Sequence, residues 1–205
     1  MVQEALNQLR AARIRTVEAI AGLSQVQMDY VAAPGKWSVG EVVDHVLLIE
    51  AFNRDNIVQV IGLQKAGKRP VVVNSIAQVN ATFAYMPRFM LPFMQVPLTV
   101  FNMVTPNPIR KFLIGNPLIP LQHPDLATPR HGCLVAELRA ALDKAIAGTN
   151  AVFAANPDLD FGRMIVQQPL LGRNTVPELV EFLASHETRH QVQINDVLQR
   201  PDFPA

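Results

Sequence analysis

The chain has 205 residues, which is long enough to bury a sizeable hydrophobic core within one domain. Hydrophobic residues make up 49% of the sequence and charged residues 17%, a balance that excludes an intrinsically disordered chain. The formal net charge of +1, from 18 basic and 17 acidic side chains, gives no electrostatic signature of a nucleic-acid-binding protein.

Apolar residues recur at helical spacing in the first sixty residues and predict two helices. The first helix runs from about Val2 to Gly22. The second begins at Ser38 and continues to about Gly62. Ser38 and Glu41 fit a capping box, in which the serine hydroxyl accepts a bond from a free backbone N–H and the glutamate reaches back.

The segment from about residue 63 to residue 130 is predicted to be an insertion between bundle helices. It contains a candidate helix over Ser75–Met86, but nine of the sixteen prolines lie in residues 87–129 and interrupt regular structure. Residues 89–109 carry no charge, a length that could cross a bilayer, yet four prolines and three amide side chains, Gln95, Asn102 and Asn107, interrupt them. We therefore expect no stable membrane insertion and an apolar insertion that covers the bundle or forms a subunit contact.

Two further helices complete the pattern. The third spans His131 to Ala155, and the fourth begins at a second capping box, Thr175 to Glu178, and ends before Pro201. No strand-like alternation competes with these helices. The sequence therefore predicts a single all-α domain over residues 1–205, an up-down four-helix bundle with a long Pro-rich apolar insertion.

Three histidines are candidate metal ligands. His186 and His190 are four residues apart and lie within the apolar stripe of the fourth helix, so both rings share one face. His45 lies at the flank of the stripe of the second helix. A buried ring nitrogen without a partner costs about 1–3 kcal/mol, and a neutral imidazole offers the lone pair that zinc, nickel, cobalt or iron accepts. Three such ligands leave coordination positions open for water or substrate.

Other interpretations of the fourth helix stay open. His186 to His190 read H-E-T-R-H, which matches the HExxH motif of zinc proteases with Glu187 as general base. A protease needs a third ligand downstream, and only fifteen residues follow His190. The pair is also compatible with two ordinary histidines. Asn53, Asn56 and Glu187 are candidate catalytic groups that orient ligands or substrate.

Residues elsewhere carry weaker signals. Cys133 is the single cysteine of the chain, which excludes an internal disulfide framework. We interpret it as a small buried residue rather than a nucleophile. His123 and His131 lie in or beside the Pro-rich loops and are expected in solvent. Trp37 is expected to anchor the core at a helix start. The first residues lack the apolar stretch of a secretory signal, so we expect a cytoplasmic protein.

Two segments resemble the DinB/YfiT-like family of metalloenzymes. Residues 37–45, W-S-V-G-E-V-V-D-H, are similar to its W-S-x-x-E-x-x-x-H segment. Residues 172–194 are similar to its G-x-x-T-x-x-E…H-x-x-x-H-x-x-Q-I segment, and the two motifs follow in the family's order. The resemblance covers residues 1–62 and 131–200, whereas the Pro-rich middle departs from the family pattern.

The resemblance implies a four-helix bundle that binds a divalent metal on His45, His186 and His190. Zinc or nickel are the first candidates, with iron, cobalt and manganese as alternatives. Characterised relatives include thiol-dependent transferases and isomerases that use mycothiol or bacillithiol. The resemblance thus implies a transferase or hydrolase in which a metal-activated water or low-molecular-weight thiol attacks a small-molecule substrate. It also makes a homodimer the candidate assembly. The alternative is a non-catalytic, metal-stapled bundle that acts as an interaction or stress-response module.

Overall fold

The computed structural model describes residues 1–74, 128–169 and 171–205. Its helices are α1 (Val2–Ile20), α2 (Gln25–Asp29), α3 (Val39–Lys65), α4 (Val135–Ala154) and α5 (Val176–Leu198). Its strands are β1 (Val71–Val73), β2 (Ile165–Gln168) and β3 (Gly172–Thr175), and a 3-10 turn over Phe161–Arg163 precedes β2. The described residues are mostly helical, which confirms the all-α class.

Capping boxes begin both helices that carry histidines. At α3 the Ser38 hydroxyl accepts from the Glu41 backbone N–H at 3.2 Å, and the Glu41 carboxylate accepts from the Ser38 N–H at 2.8 Å. At α5 the Thr175 hydroxyl and the Glu178 carboxylate form the same reciprocal pair, at 3.4 and 2.9 Å. Each box satisfies N–H groups that a helix start leaves without intrahelical partners. Both predicted boxes are confirmed.

The predicted start of the third bundle helix was four residues too early. The helix begins at Val135 rather than at His131. Gly132 lies between these positions with a φ of +69°, which a right-handed helix does not accommodate. Leu134 precedes the helix and is 55% exposed.

The chain divides into two compact units, and the first comprises Met1–Arg54, Pro129–Leu159 and Val180–Ala205. Its core collects the end of α1, α2, the starts of α3 and α4, and the end of α5. The core residues are Ile20, Met28, Val39, Val42, Val43, Leu138, Leu142, Ile194 and Val197. Within this unit α3 and α4 therefore run parallel to each other, and α1 and α5 run in the opposite direction. The all-α class agrees with the prediction, but strict up-down alternation does not, because α3 and α4 follow each other in the chain and run in the same direction.

The second unit comprises Asp55–Thr128 and Asp160–Leu179, and its described residues hold a three-stranded sheet. β1 pairs in parallel with β2, with Val72 opposite Val166, and β2 pairs antiparallel with β3. The Asn74 side chain at the end of β1 donates to Asn56 Oδ1 on α3 at 2.9 Å. The sequence did not predict this sheet, because strands of three or four residues are too short to show the alternation of apolar and polar side chains that identifies a strand.

Several predictions fall on other parts of the chain. The candidate helix over Ser75–Met86, the uncharged residues 89–109 and His123 lie outside the described residues. The first residues of the predicted insertion contain the end of α3 and strand β1. A single domain with an insertion over about residues 63–130 stays a prediction. In the described residues, no helix is both long enough and apolar enough to span a membrane.

Candidate metal centre

Helix α3 presents His45 from its buried face. Val42 and Val46 flank the histidine along the helix and are buried with it, and the His45 side chain is only 1% exposed. The spacing of three and four residues places these side chains in one stripe of the helix. His45, which was predicted to lie at the edge of the apolar stripe, is thus fully buried.

Helix α5 presents the other two histidines one turn apart. His190 is 3% exposed, whereas His186 is half-buried. The separation of four residues puts the rings next to each other, with centroids 4.4 Å apart. His186 is therefore the member of the cluster with appreciable exposure to solvent.

The three histidines converge through their Nε2 atoms. The His186 Nε2 lies 3.3 Å from the His45 Nε2 and 3.1 Å from the His190 Nε2. The candidate ligand atoms of all three lie within 4.8 Å of one another. Two nitrogens bound to one zinc ion at about 2.0–2.1 Å are about 3.3–3.4 Å apart in ideal tetrahedral geometry, so the separations of 3.3 and 3.1 Å lie close to those of shared ligation. The donor set of three imidazoles suits a divalent transition metal.

Aromatic rings and one amide surround the cluster. The indole of Trp37 lies 4.8 Å from the His45 ring and 6.5 Å from the His190 ring, nearly parallel to the latter. Phe182 lies 5.4 Å from the His186 ring. The Gln193 Oε1 lies 2.6 Å from the His190 Nδ1. The cluster therefore sits in a largely aromatic shell.

Residues 8–194 match the sequence profile of the DinB superfamily. The chain belongs to the DinB superfamily. The matched range contains all three histidines and the whole of both motifs noted in the sequence. No match was found among curated proteins or among solved structures.

The DinB-superfamily chain also buries an ion-pair network beside the cluster. Arg13 of α1 donates to both carboxylate oxygens of Glu187, at 2.8 and 3.0 Å, and to Glu50 of α3. Thr149 of α4 donates to the other Glu50 oxygen at 2.6 Å. Burial lowers the pKa of Arg13, but the bonds and charges of Glu187 and Glu50 outweigh this effect and raise it overall.

This network changes the interpretation of the H-E-T-R-H segment. The general base of a zinc protease must be available to activate water. Both Glu187 oxygens are instead hydrogen-bonded to Arg13, which leaves the protease interpretation without its base. The catalytic role of Glu187 stays a prediction.

Both candidate asparagines of α3 are buried, as their position in the apolar stripe predicted. The Asn53 side chain donates to the Ile49 carbonyl of its own helix at 2.8 Å. Asn56 accepts from Asn74, as described above. Their roles in catalysis stay predictions.

Residues at the start of α4 do not join the histidine cluster. His131 is exposed and lies 3.4 Å from the Glu41 carboxylate. Arg130 binds the buried Asp44 carboxylate through its backbone N–H at 2.7 Å and through its guanidinium. Burial, followed by the Asp44 charge, raises the pKa of the Cys133 thiol. A raised thiol pKa lowers the thiolate fraction at neutral pH and argues against Cys133 as a nucleophile.

Three residues in or beside the site, Gln193, Arg13 and Glu50, were not among the site residues predicted from the sequence. The sequence does carry a signal for Arg13 and Glu50. Each is a charged residue within an apolar stripe: Arg13 lies four residues after the core residue Leu9, and Glu50 lies four residues after the core residue Val46. A charge in such a position needs a partner on another helix. Gln193 also had a signal, because it stands at the glutamine of the H-x-x-x-H-x-x-Q-I segment, three residues after His190.

Proposed function

We propose that this DinB-superfamily chain binds one divalent metal ion on His45, His186 and His190. The observation that carries the proposal is that the His186 Nε2 lies 3.3 Å from the His45 Nε2 and 3.1 Å from the His190 Nε2, with candidate ligand atoms of all three residues within 4.8 Å of one another. Zinc or nickel are the first candidates, and iron, cobalt or manganese are the alternatives, because imidazole nitrogen suits all of these ions.

We further propose that the chain is a metal-dependent transferase or hydrolase that acts on a small-molecule substrate. When bound, the metal would lower the pKa of water or of a low-molecular-weight thiol and would polarise the electrophile. The half-buried His186 supports access from solvent, and Trp37 and Phe182 supply apolar walls for a substrate. The thiol, the cytoplasmic location and the homodimer stay predictions.

A second candidate function is structural, in which the metal would hold the helices together without catalysing a reaction. It is favoured by the burial of His45 and His190, which lie on different helices that the metal would join. The two functions differ in whether a substrate reaches the metal. A screen of the metal-loaded protein with thiols and electrophilic substrates separates them, since only the enzyme shows turnover that His186→Ala abolishes.

Metal binding is tested by elemental analysis of tag-free protein. We expect about one divalent ion per chain in the wild type and a loss of most of it in His45→Ala, His186→Ala and His190→Ala, because each variant removes a ligand. His131→Ala is the matched control, since His131 lies outside the cluster. His186→Gln, which keeps a polar side chain of similar size, covers the case in which an alanine variant fails to fold. A wild type that takes up no metal on titration, or variants that retain it fully, would contradict the proposal.

A further inference from the structure

We propose that Gln193 is a positioning residue that sets the tautomer of His190. The Gln193 Oε1 lies 2.6 Å from the His190 Nδ1, a short hydrogen bond. An amide oxygen only accepts hydrogen bonds, so the proton of this bond belongs to Nδ1. A neutral imidazole carries one N–H, and its Nε2 then holds a lone pair.

The other end of the same ring faces the cluster. The His190 Nε2 lies 3.1 Å from the His186 Nε2. In the opposite tautomer, Nε2 would carry hydrogen and could not ligate a metal. Gln193 therefore selects the one neutral form of His190 that is competent to bind, a consequence that rests on the metal site proposed above.

The helix gives this bond a fixed geometry. Gln193 follows His190 by three residues, so its side chain lies one turn away on the same face of α5. Trp37 packs nearly parallel to the His190 ring, at an interplanar angle of 27°. The indole restrains the plane of the ring, and Gln193 restrains which nitrogen holds the proton.

A neighbouring glutamine supplies a matched comparison. Gln191 is buried and donates to the Ala12 carbonyl at 2.6 Å and to the Thr16 hydroxyl at 2.9 Å. Both bonds join α5 to α1, and neither involves a histidine. Gln191 thus stabilises the packing of α5 against α1, whereas Gln193 forms a hydrogen bond with His190 of the cluster.

The first test measures zinc affinity by competition with a chelator. We expect Gln193→Met to bind zinc 10–100-fold more weakly than the wild type, the usual effect of losing a partner of a ligating histidine. Gln193→Glu keeps an acceptor at this position and should restore affinity. Gln191→Met should lower the melting temperature of the zinc-free protein yet keep the wild-type zinc affinity. A Gln193→Met protein that binds zinc as tightly as the wild type would overturn the inference and leave the metal site intact.

The second test needs no metal. Nitrogen-15 NMR of the zinc-free wild type should show the His190 proton on Nδ1, and Gln193→Met should move a measurable part of it to Nε2. A wild-type proton on Nε2, or the same tautomer in both proteins, would overturn the role of Gln193. If instead the wild type takes up no zinc but shows the expected tautomer shift, the proposed function fails and the assignment of Gln193 stands.

Discussion

At the scale of single residues, Arg13 of α1 links its own helix to three others of the first unit. Its guanidinium, 3% exposed, binds Glu50 of α3, Glu187 of α5 and the Leu142 carbonyl of α4. Both carboxylates are buried as well. A buried ion pair contributes little net stability when complete, because desolvation offsets attraction, but it is costly to break.

We therefore expect Arg13→Met to lower the free energy of unfolding by about 3–5 kcal/mol, because it leaves two buried carboxylates without their cation. Urea unfolding followed by circular dichroism measures the effect. Arg15→Met is the control, since Arg15 is exposed and its loss should cost less than about 1 kcal/mol. Equal losses in the two variants would show that the network does not act as the structure indicates.

At the scale of the helices, the capping boxes determine where α3 and α5 begin. The Ser38 hydroxyl accepts from the Glu41 N–H, and the Ser38 side chain is buried, so water cannot readily replace it. His45 follows two turns later on the same helix. The cap thus fixes the start of the element that carries the first candidate ligand.

We expect Ser38→Ala to lower the free energy of unfolding by about 1 kcal/mol, the typical cost of losing a side-chain cap. Ser185→Ala provides the matched control, because Ser185 is exposed within α5 and its hydroxyl donates to the Glu181 carbonyl one turn before it on the same helix. That change should stay within about 0.5 kcal/mol of the wild type. Chemical denaturation in metal-free buffer gives both values, and a control as destabilised as Ser38→Ala would contradict the assignment of the cap.

At the scale of the whole molecule, the candidate site joins distant parts of the chain. His45 and His186 are separated by 141 positions, yet their Nε2 atoms lie 3.3 Å apart. The unfolded chain does not hold these ligands together. A metal that binds the folded form alone stabilises it by mass action.

We expect zinc at about one hundred times its dissociation constant to stabilise the wild type by about 2.7 kcal/mol. For a chain of this size the melting temperature should rise by roughly 5–10 °C. Differential scanning calorimetry with and without zinc measures the shift, which His131→Ala should retain and His186→Ala should lose. A shift of equal size in His186→Ala would place zinc binding elsewhere.

Local patterns in the sequence determined much of this protein. Helical spacing and capping residues placed the four long helices to within a few residues, apart from the start of α4. The same spacing put His186 and His190 on one face of α5, because a helix brings residues four apart together whatever surrounds it. The family motif added His45, and the profile match confirmed the superfamily.

Only the tertiary structure decided which faces meet. It paired Arg13 with Glu50 and Glu187 and brought His45 next to His186. It also made α3 and α4 parallel in the first unit, where the predicted up-down order had them antiparallel, because the long segment between them permits either direction. Such contacts depend on side chains far apart in sequence, which no local period encodes. The sequence by itself therefore determined the helices and two of the candidate ligands, and packing decided how the three rings and their partners converge.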